Sequence, residues 1–322
     1  MRVAAIDIGT VTCRLLVADV DAATHSMTPV ERIAEITNLG EGVDASGVLR
    51  ADAIERTVAQ VARYRELAQS PSDGGPAADA LVAVATSASR DAANADEFVA
   101  RLAEIGVSLS VIPGYREAEL SFSGAAGGCV GQPVAVVDIG GGSTEVIAGV
   151  FHGAEDGGVE IFDRRSFDVG CRRMTERFLA GDPPADEELE AARRWAEGEI
   201  SGFVRTLPPT ERLIAVAGTA TTAVSIRESM AVYDPDKVHG AVVTRRQLRA
   251  IYDRLRAMPL EQRRQVVGLQ PQRASVIVAG FLILDVVLEA AGRDAFTVSE
   301  HDILQGIVLD AVSKTCRNDA LA

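Results

Sequence analysis

The chain has 322 residues, 47% hydrophobic and 24% charged, the balance of a soluble globular protein with room for two domains. Its formal net charge of −14 argues against non-specific nucleic-acid binding and requires a locally basic lining for any polyanionic substrate. Four scattered cysteines (Cys13, Cys129, Cys171 and Cys316) include no Cys-x-x-Cys pair, which excludes a zinc site or disulfide framework and fits a reducing cytosol.

The apolar segment Val3 to Val17 predicts a strand, a tight loop around Gly9 and a second strand. Asp7 interrupts it too early for a signal peptide. Thr28 to Ile36 predicts a third strand, followed by a turn over Asn38 to Gly42. Ile54, Val58, Val61 and Leu67 fall near one face of a helix over Ala53 to Leu67, and Ser70 to Ala77 is a surface loop. Leu81 to Ala85 predicts a buried strand with Thr86 to Asp91 at its carboxyl end, where ligands collect in open α/β sheets. Arg90 there either holds a phosphate oxygen or pairs with Asp91 or Asp96. A helix over Asn94 to Ile105, a strand over Ser108 to Ile112 and a helix over Tyr115 to Ala126 follow. Glu117 and Glu119 occupy the first turn of that last helix, where the dipole favours anions. A flexible connection follows, which puts a domain boundary near Gly124 to Pro133.

Pro133 to Val150 carries the strongest signal. Val134 to Val137 predicts a buried strand; Asp138 and three glycines, Gly140 to Gly142, follow, and Glu145 to Val150 turns apolar again. Glycine lets backbone N–H groups close on an oxyanion. The loop leads into a strand, and Glu145 stands where a dinucleotide fingerprint needs its third glycine. A Walker loop needs Gly-Lys-Ser/Thr, and the chain's two lysines, Lys237 and Lys314, sit elsewhere. What remains is a β-hairpin phosphate loop with two carboxylates, Asp138 and Glu145. Placing Asp7 on Asp138, an offset of 131 residues, also superposes Gly9 on Gly140 and Thr12 on Ser143, so the chain holds an internal duplication.

In the second half, a hairpin turn over Gly153 to Gly158 precedes a strand over Glu160 to Asp168. Gly170-Cys-Arg-Arg opens a helix with adjacent arginines, and another helix runs from Glu187 to Leu207. Leu213 to Ala217 predicts a strand closed by Gly218-Thr-Ala-Thr-Thr222, a small-residue loop before a helix that either binds phosphate or allows close packing. Thr244-Arg-Arg-Gln247 is a capping box for a helix to Met258. Val276 to Ala291 is apolar but for Asp285 and Glu289 at helical spacing, so it predicts a buried helix, not a membrane span, and the protein is expected in the cytoplasm. Phe296 to Val298 is a strand, and the last helix lies within Ser299 to Lys314. The order βββαβαβα, twice, predicts an α/β protein with mixed sheets flanked by helices.

Two Asp-x-Gly hairpins, one per half, resemble the ribonuclease H-like domains of the actin–Hsp70–hexokinase superfamily, in which paired domains grip phosphates across a cleft. The chain is similar, over essentially its full length, to the exopolyphosphatase and guanosine-pentaphosphate phosphohydrolase (Ppx/GppA) family in its short two-domain form. The motifs are Asp7-Ile-Gly-Thr, Val84-Ala-Thr-Ser-Ala-Ser-Arg-Asp-Ala, Ile112-Pro-Gly-Tyr-Arg-Glu-Ala-Glu, Asp138 to Glu145, Gly218-Thr-Ala-Thr-Thr and Val238-His-Gly through Gly306. The resemblance implies an actin-like domain over 1–125, onto which a helix of about 300–316 returns, and a second over 126–299. It implies Glu117 as the base preparing a water, and Asp138 and Glu145 as carboxylates for Mg²⁺ (or Mn²⁺), with Asp7 a third candidate. It implies phosphate binding by Gly141, Gly142, Ser143 and Thr144, by Gly9, Thr10 and Thr12, and by Arg90.

The implied reaction releases terminal orthophosphate from inorganic polyphosphate, with guanosine pentaphosphate as the alternative substrate. A kinase of the same superfamily and a non-catalytic phosphate sensor are the more remote readings. Arg165, Arg172, Arg173, Arg263, Arg264 and Arg273 are candidates for a polyphosphate path. No nucleic-acid or membrane partner is expected, and a homodimer is a family-based expectation. Three departures bear on rate and chain-length preference: Val11 in place of a usual Asn, Arg116 and Glu119 with exchanged signs around Glu117, and Leu304-Gln305-Gly306 for a usual Arg-Glu-Gly.

Overall fold

A computed structural model describes residues 1–21, 24, 26–153 and 158–319, the stretch 316–319 as backbone only. The turn expected at Gly153 to Gly158 and the side chain of Cys316 fall outside the described residues. The chain divides into two compact units, one of Met1–Val130, Phe151–Glu160 and Asp302–Ala322, the other of Gly131–Val150 and Ile161–His301.

The first unit is built on β1 (Arg2–Ile8), β2 (Thr12–Val20), β3 (Met27–Ile36), β4 (Ala80–Ala85) and β5 (Leu109–Val111), in the order β3-β2-β1-β4-β5. β1 pairs antiparallel with β2 and parallel with β4. The helices are α1 (Val43–Ser46), α2 (Ala51–Gln69), α3 (Ser87–Asp91), α4 (Ala95–Glu104), α5 (Gly114–Ala125) and, from the chain's end, α14 (Ile303–Asp319). The period-2 alternation of a strand decides which helices cover which face. Ala4, Ile6 and Ile8 pack with Ile54, Val58 and Val61 of α2 and with Phe98 and Leu102 of α4. Val3 and Ala5 point the other way, to Leu120 of α5 and to Ile303, Ile307 and Val308 of α14. Asp7 has the parity of Val3 and Ala5. α5 and α14 meet at glycines: a Cβ on Gly124 would lie 1.8 Å from the Asp302 carbonyl oxygen, and one on Gly306 2.0 Å from that of Leu120.

The second unit repeats the scheme. β6 (Pro133–Ile139) pairs antiparallel with β7 (Thr144–Gly153) and parallel with β9 (Arg212–Val216). With β8 (Gly158–Phe167), β10 (Val242–Thr244) and β11 (Ala295–Val298) they form a sheet of order β10-β11-β9-β6-β7-β8. Around it lie α6 (Cys171–Phe178), α7 (Asp186–Ala196) continued through a π-helical turn into α8 (Gly202–Val204), α9 (Ala217–Arg227), α10 (Pro235–Val238), α11 (Arg245–Arg256), α12 (Leu260–Arg263) and α13 (Ile277–Ala290). α13 is almost wholly apolar because every residue of it but Glu289 is buried. Among the described residues, no helix is long and apolar enough to cross a membrane.

Asp285, the buried polar residue of α13, is held by Arg193, Arg245 and Arg249, with Arg245 Nε 2.7 Å and Arg249 Nε 2.8 Å from its Oδ1. The capping box at Thr244 forms as expected, with Thr244 N–H donating to Gln247 Oε1 at 2.9 Å. Gly218 to Thr222 differ from the expectation of a loop: helix α9 begins directly at Ala217 and contains them. The strand-to-helix corner is made by Ala217 itself, at φ 62°, a left-handed conformation costly for a residue with a Cβ. Packing against Gly218 is correspondingly close, a Cβ there meeting the Arg273 guanidinium at 1.9 Å.

Candidate active site

The two hairpin loops close in the same way. Gly9 N–H donates to the Thr12 carbonyl at 2.9 Å, and Gly140 N–H to that of Ser143 at 3.0 Å. Asp7 faces Arg14 and Ile8 faces Cys13 in one register; Asp138 faces Glu145 and Ile139 faces Thr144 in the other. The 131-residue offset read from the sequence therefore maps one hairpin onto the other residue by residue, and it places Arg14 on Glu145.

Each loop has its carbonyls fastened from behind. In the first, the amides of Asn38 and Gly40 donate to Val11 and Thr10, both at 2.9 Å. In the second, Cys171 N–H donates to Gly140 at 2.9 Å, and Arg172 and Arg173 N–H donate to Gly141 at 2.8 and 3.1 Å. Arg173 Nε adds a bond to the Gly142 carbonyl at 2.8 Å. Gly170 makes this approach feasible, since a Cβ there would stand 2.3 Å from the Gly141 carbonyl oxygen. The buried N–H groups of Gly141, Gly142 and Ser143 donate to no backbone carbonyl among the described residues. Buried amides of that kind are ordinarily paired, and successive ones form an anion-binding concavity. The Thr144 hydroxyl donates to the Val169 carbonyl.

Asp138 and Glu145, opposite one another on adjacent strands, are 6% and 1% exposed. Ser166 Oγ donates to Glu145 Oε1 at 2.7 Å and orients that carboxylate. Among the described residues, no group of three or more His, Cys, Asp or Glu side chains is arranged to hold a metal ion. A pair suits Mg²⁺ nonetheless, because that ion binds through one or two carboxylates and completes its shell with substrate phosphates and water.

Asp7 sits otherwise. Arg14 grips its Oδ2 through Nε at 3.0 Å and Nη2 at 2.6 Å, and also donates to Asp302. Burial pushes the Asp7 carboxyl above its ordinary pKa, Arg14 opposes this, and Asp302 adds to it. A carboxylate held in this way by a guanidinium already has its charge compensated. Residue 14 was the side chain the duplication could have flagged, since it stands where the second hairpin has Glu145.

Glu117 lies in the first turn of α5, 8% exposed. Arg90 Nη1 donates to its Oε2 at 2.7 Å and to the Ile112 carbonyl at 3.0 Å. Arg90 thus pairs with Glu117, 27 residues on, not with Asp91 or Asp96. The one-turn helix α3 and the β5–α5 corner bring the two together. Arg116 and Glu119 pair at 3.1 Å despite their exchanged signs. Of the arginines considered for a polyphosphate path, Arg263 is buried against Asp182 and the Ala274 carbonyl, Arg264 pairs with Glu261, and Arg172 with Glu176.

The profile of the Ppx/GppA phosphatase family matches residues 16–315. Exopolyphosphatase 2 of Mycobacterium tuberculosis is 40% identical over 324 aligned positions, spanning 96% of this chain and 98% of that protein. Among solved structures, the Aquifex aeolicus PPX-GPPA enzyme superposes with a TM-score of 0.78 at 32% identity, covering 96% of this chain and 99% of its own. An exopolyphosphatase-like protein superposes with a TM-score of 0.87 at 33% identity, covering 98% of this chain and 100% of its own. The two mixed sheets flanked by helices are those of an actin-like fold.

Proposed function

The chain belongs to the Ppx/GppA phosphatase family, and we propose that it is an exopolyphosphatase that releases the terminal orthophosphate of inorganic polyphosphate. The observation that carries this reading is the nest of buried Gly141, Gly142 and Ser143 amides beside the Asp138–Glu145 pair. Its support from relatives is the 40% identity to a mycobacterial exopolyphosphatase.

Phosphoryl transfer asks for charge neutralisation, in-line positioning and an oriented water more than for covalent chemistry. The nest takes the oxygens of the terminal phosphoryl group. Asp138 and Glu145 would hold Mg²⁺, or Mn²⁺, which would neutralise charge developing on the phosphate oxygens. Glu117, the base that the family resemblance implies, accepts a proton from the attacking water, and Arg90 holds its Oε2. Water oxygen bonds to phosphorus, the bridging P–O bond breaks, and orthophosphate and a chain one phosphate shorter leave.

Phosphate release from polyphosphate, guanosine pentaphosphate and ATP with Mg²⁺ tests the reading. Polyphosphate is expected to be the preferred substrate, and Glu117→Gln to lower kcat by about 10²–10⁴-fold. Release from guanosine pentaphosphate alone would move the assignment to the nucleotide. Transfer to an acceptor in place of release would indicate a kinase, and tight binding without turnover a sensor. Full activity in Glu117→Gln would remove the assigned base.

A further inference from the structure

Arg173 distinguishes the two loop buttresses. In the first hairpin the carbonyl of Val11 accepts a neutral amide, that of Asn38, at 2.9 Å. The corresponding carbonyl of the second hairpin, Gly142, accepts the guanidinium Nε of Arg173 at 2.8 Å. The Gly142 carbonyl and the Ser143 N–H are two ends of one peptide group. A cation on the oxygen draws electron density toward it and leaves the N–H more positive, the polarisation that makes chained hydrogen bonds strengthen one another. Charge-assisted bonds are roughly twice as strong as neutral ones. Arg172 and Arg173 N–H act alike, without charge, on the Gly141 carbonyl and so on the Gly142 N–H.

We propose that Arg173 is a positioning residue for the phosphate loop: through the Gly142–Ser143 peptide it both fixes the loop and strengthens the Ser143 amide as a donor to the bound phosphoryl oxygen. In this role Arg173 works through the Gly142 carbonyl. The inference rests on the reading of Gly140 to Ser143 as a phosphate loop. It also explains why α6 begins where it does. Gly170 lets the helix start against the loop, and the third helical residue then lies within reach of Gly142.

Amide spectra of the ¹⁵N-labelled full chain, titrated with inorganic orthophosphate, test this without relying on turnover. In the wild type, saturable shifts are expected at Gly141, Gly142 and Ser143, largest at Ser143. Arg173→Gln is expected to weaken orthophosphate binding by roughly 5- to 20-fold and Arg173→Lys by less, both with unchanged melting temperature. If Arg173→Ala loosens the fold, methylguanidinium but not methylammonium is expected to restore its phosphate-dependent shift at Ser143. Equal affinity in wild type and Arg173→Gln would overturn the role of Arg173 and leave the loop assignment standing. No phosphate-dependent shift at any of the three amides in the wild type would overturn both.

Discussion

At the base of the first hairpin Asp7 faces Arg14; at the base of the second, Asp138 faces Glu145. The strands, the loop closure and the fastening of the loop carbonyls from behind are shared. A single exchange, arginine for glutamate, puts an ion pair at the base of one hairpin where the other has two carboxylates. Charge over the two units follows the same division: the first contains 24 acidic and 12 basic residues, the second 22 and 20. A polyanion therefore meets its weaker repulsion on the unit whose loop carbonyl is held by the guanidinium of Arg173. On the proposed function, divergence at this one position divides the work between two hairpins of one design.

The largest expected effect tests the carboxylate pair. Glu145→Gln keeps the shape and can still accept from Ser166, so stability is expected to hold while Mg²⁺-dependent phosphate release falls about thousandfold, the several kcal/mol a Lewis-acid ion supplies. EDTA is expected to abolish wild-type release and to leave the residual activity of Glu145→Gln unchanged. Undiminished, EDTA-sensitive turnover in the variant would place the metal elsewhere and end the contrast between the hairpins.

The converse substitution acts on stability. Arg14→Met leaves Asp7 and Asp302, both buried, without their shared cation, and losing one partner of a buried ion pair costs about 3–5 kcal/mol. A thermal melt followed by circular dichroism measures it. A melting temperature equal to wild type would mean that Arg14 is no structural counter-ion. The double variant Asp7→Asn/Arg14→Met is expected to recover part of the loss, since it also removes the stranded charge.

The buttresses give a finer comparison. A Cβ on Gly170 meets a backbone carbonyl, that of Gly141, at 2.3 Å; one on Gly40 meets the Thr10 side-chain methyl at 2.2 Å. Backbone cannot yield without moving the loop, whereas a side chain can turn. Gly170→Ala is therefore expected to cost about 2–3 kcal/mol and to weaken orthophosphate binding, and Gly40→Ala about 1–2 kcal/mol. The reverse ranking would show that the first loop is the more rigid of the two.

Much of this was legible in the chain. β-Branched runs bounded by glycine located β1, β2, β6 and β7, and the offset between Asp7 and Asp138 anticipated the structural register. Side-chain partners were not legible. Arg14 reaches Asp302, 288 residues away, and Arg90 chooses Glu117 over nearer acids because α3 and the β5–α5 corner converge. Gly218 to Thr222 looked like a loop because small residues serve both turns and tight helix packing; only the left-handed Ala217 and the Arg273 contact tell them apart. The fastening of the loop carbonyls leaves no pattern in residue type at all, since backbone amides do most of it.

The smallest expected effect concerns acid. Asp7 and Asp285 are both buried beside arginine, yet their carboxyls shift in opposite directions. Burial pushes both up. One arginine, shared with Asp302, does not offset it at Asp7, whereas hydrogen bonds from Arg249, Arg245 and Arg193 hold Asp285 below its ordinary range. A depressed carboxyl contributes stability that is present above the unfolded-state pKa, near 3.9, and is lost as pH falls toward the folded value. A raised one runs the other way, gaining stability as pH falls through its folded pKa. Trp195, the chain's single tryptophan, follows Arg193 on α7 by two residues and reports unfolding of the second unit by its fluorescence. Between pH 4.5 and pH 3, the wild type is expected to lose about 1 kcal/mol more than Asp285→Asn, although the variant is less stable throughout. Asp7→Asn is expected to lose at least as much as the wild type over the same interval, because it lacks the compensating gain. Parallel curves for wild type and Asp285→Asn would mean that three arginines do no more for a buried carboxylate than one, and the contrast between the two sites would then rest on the hairpins alone.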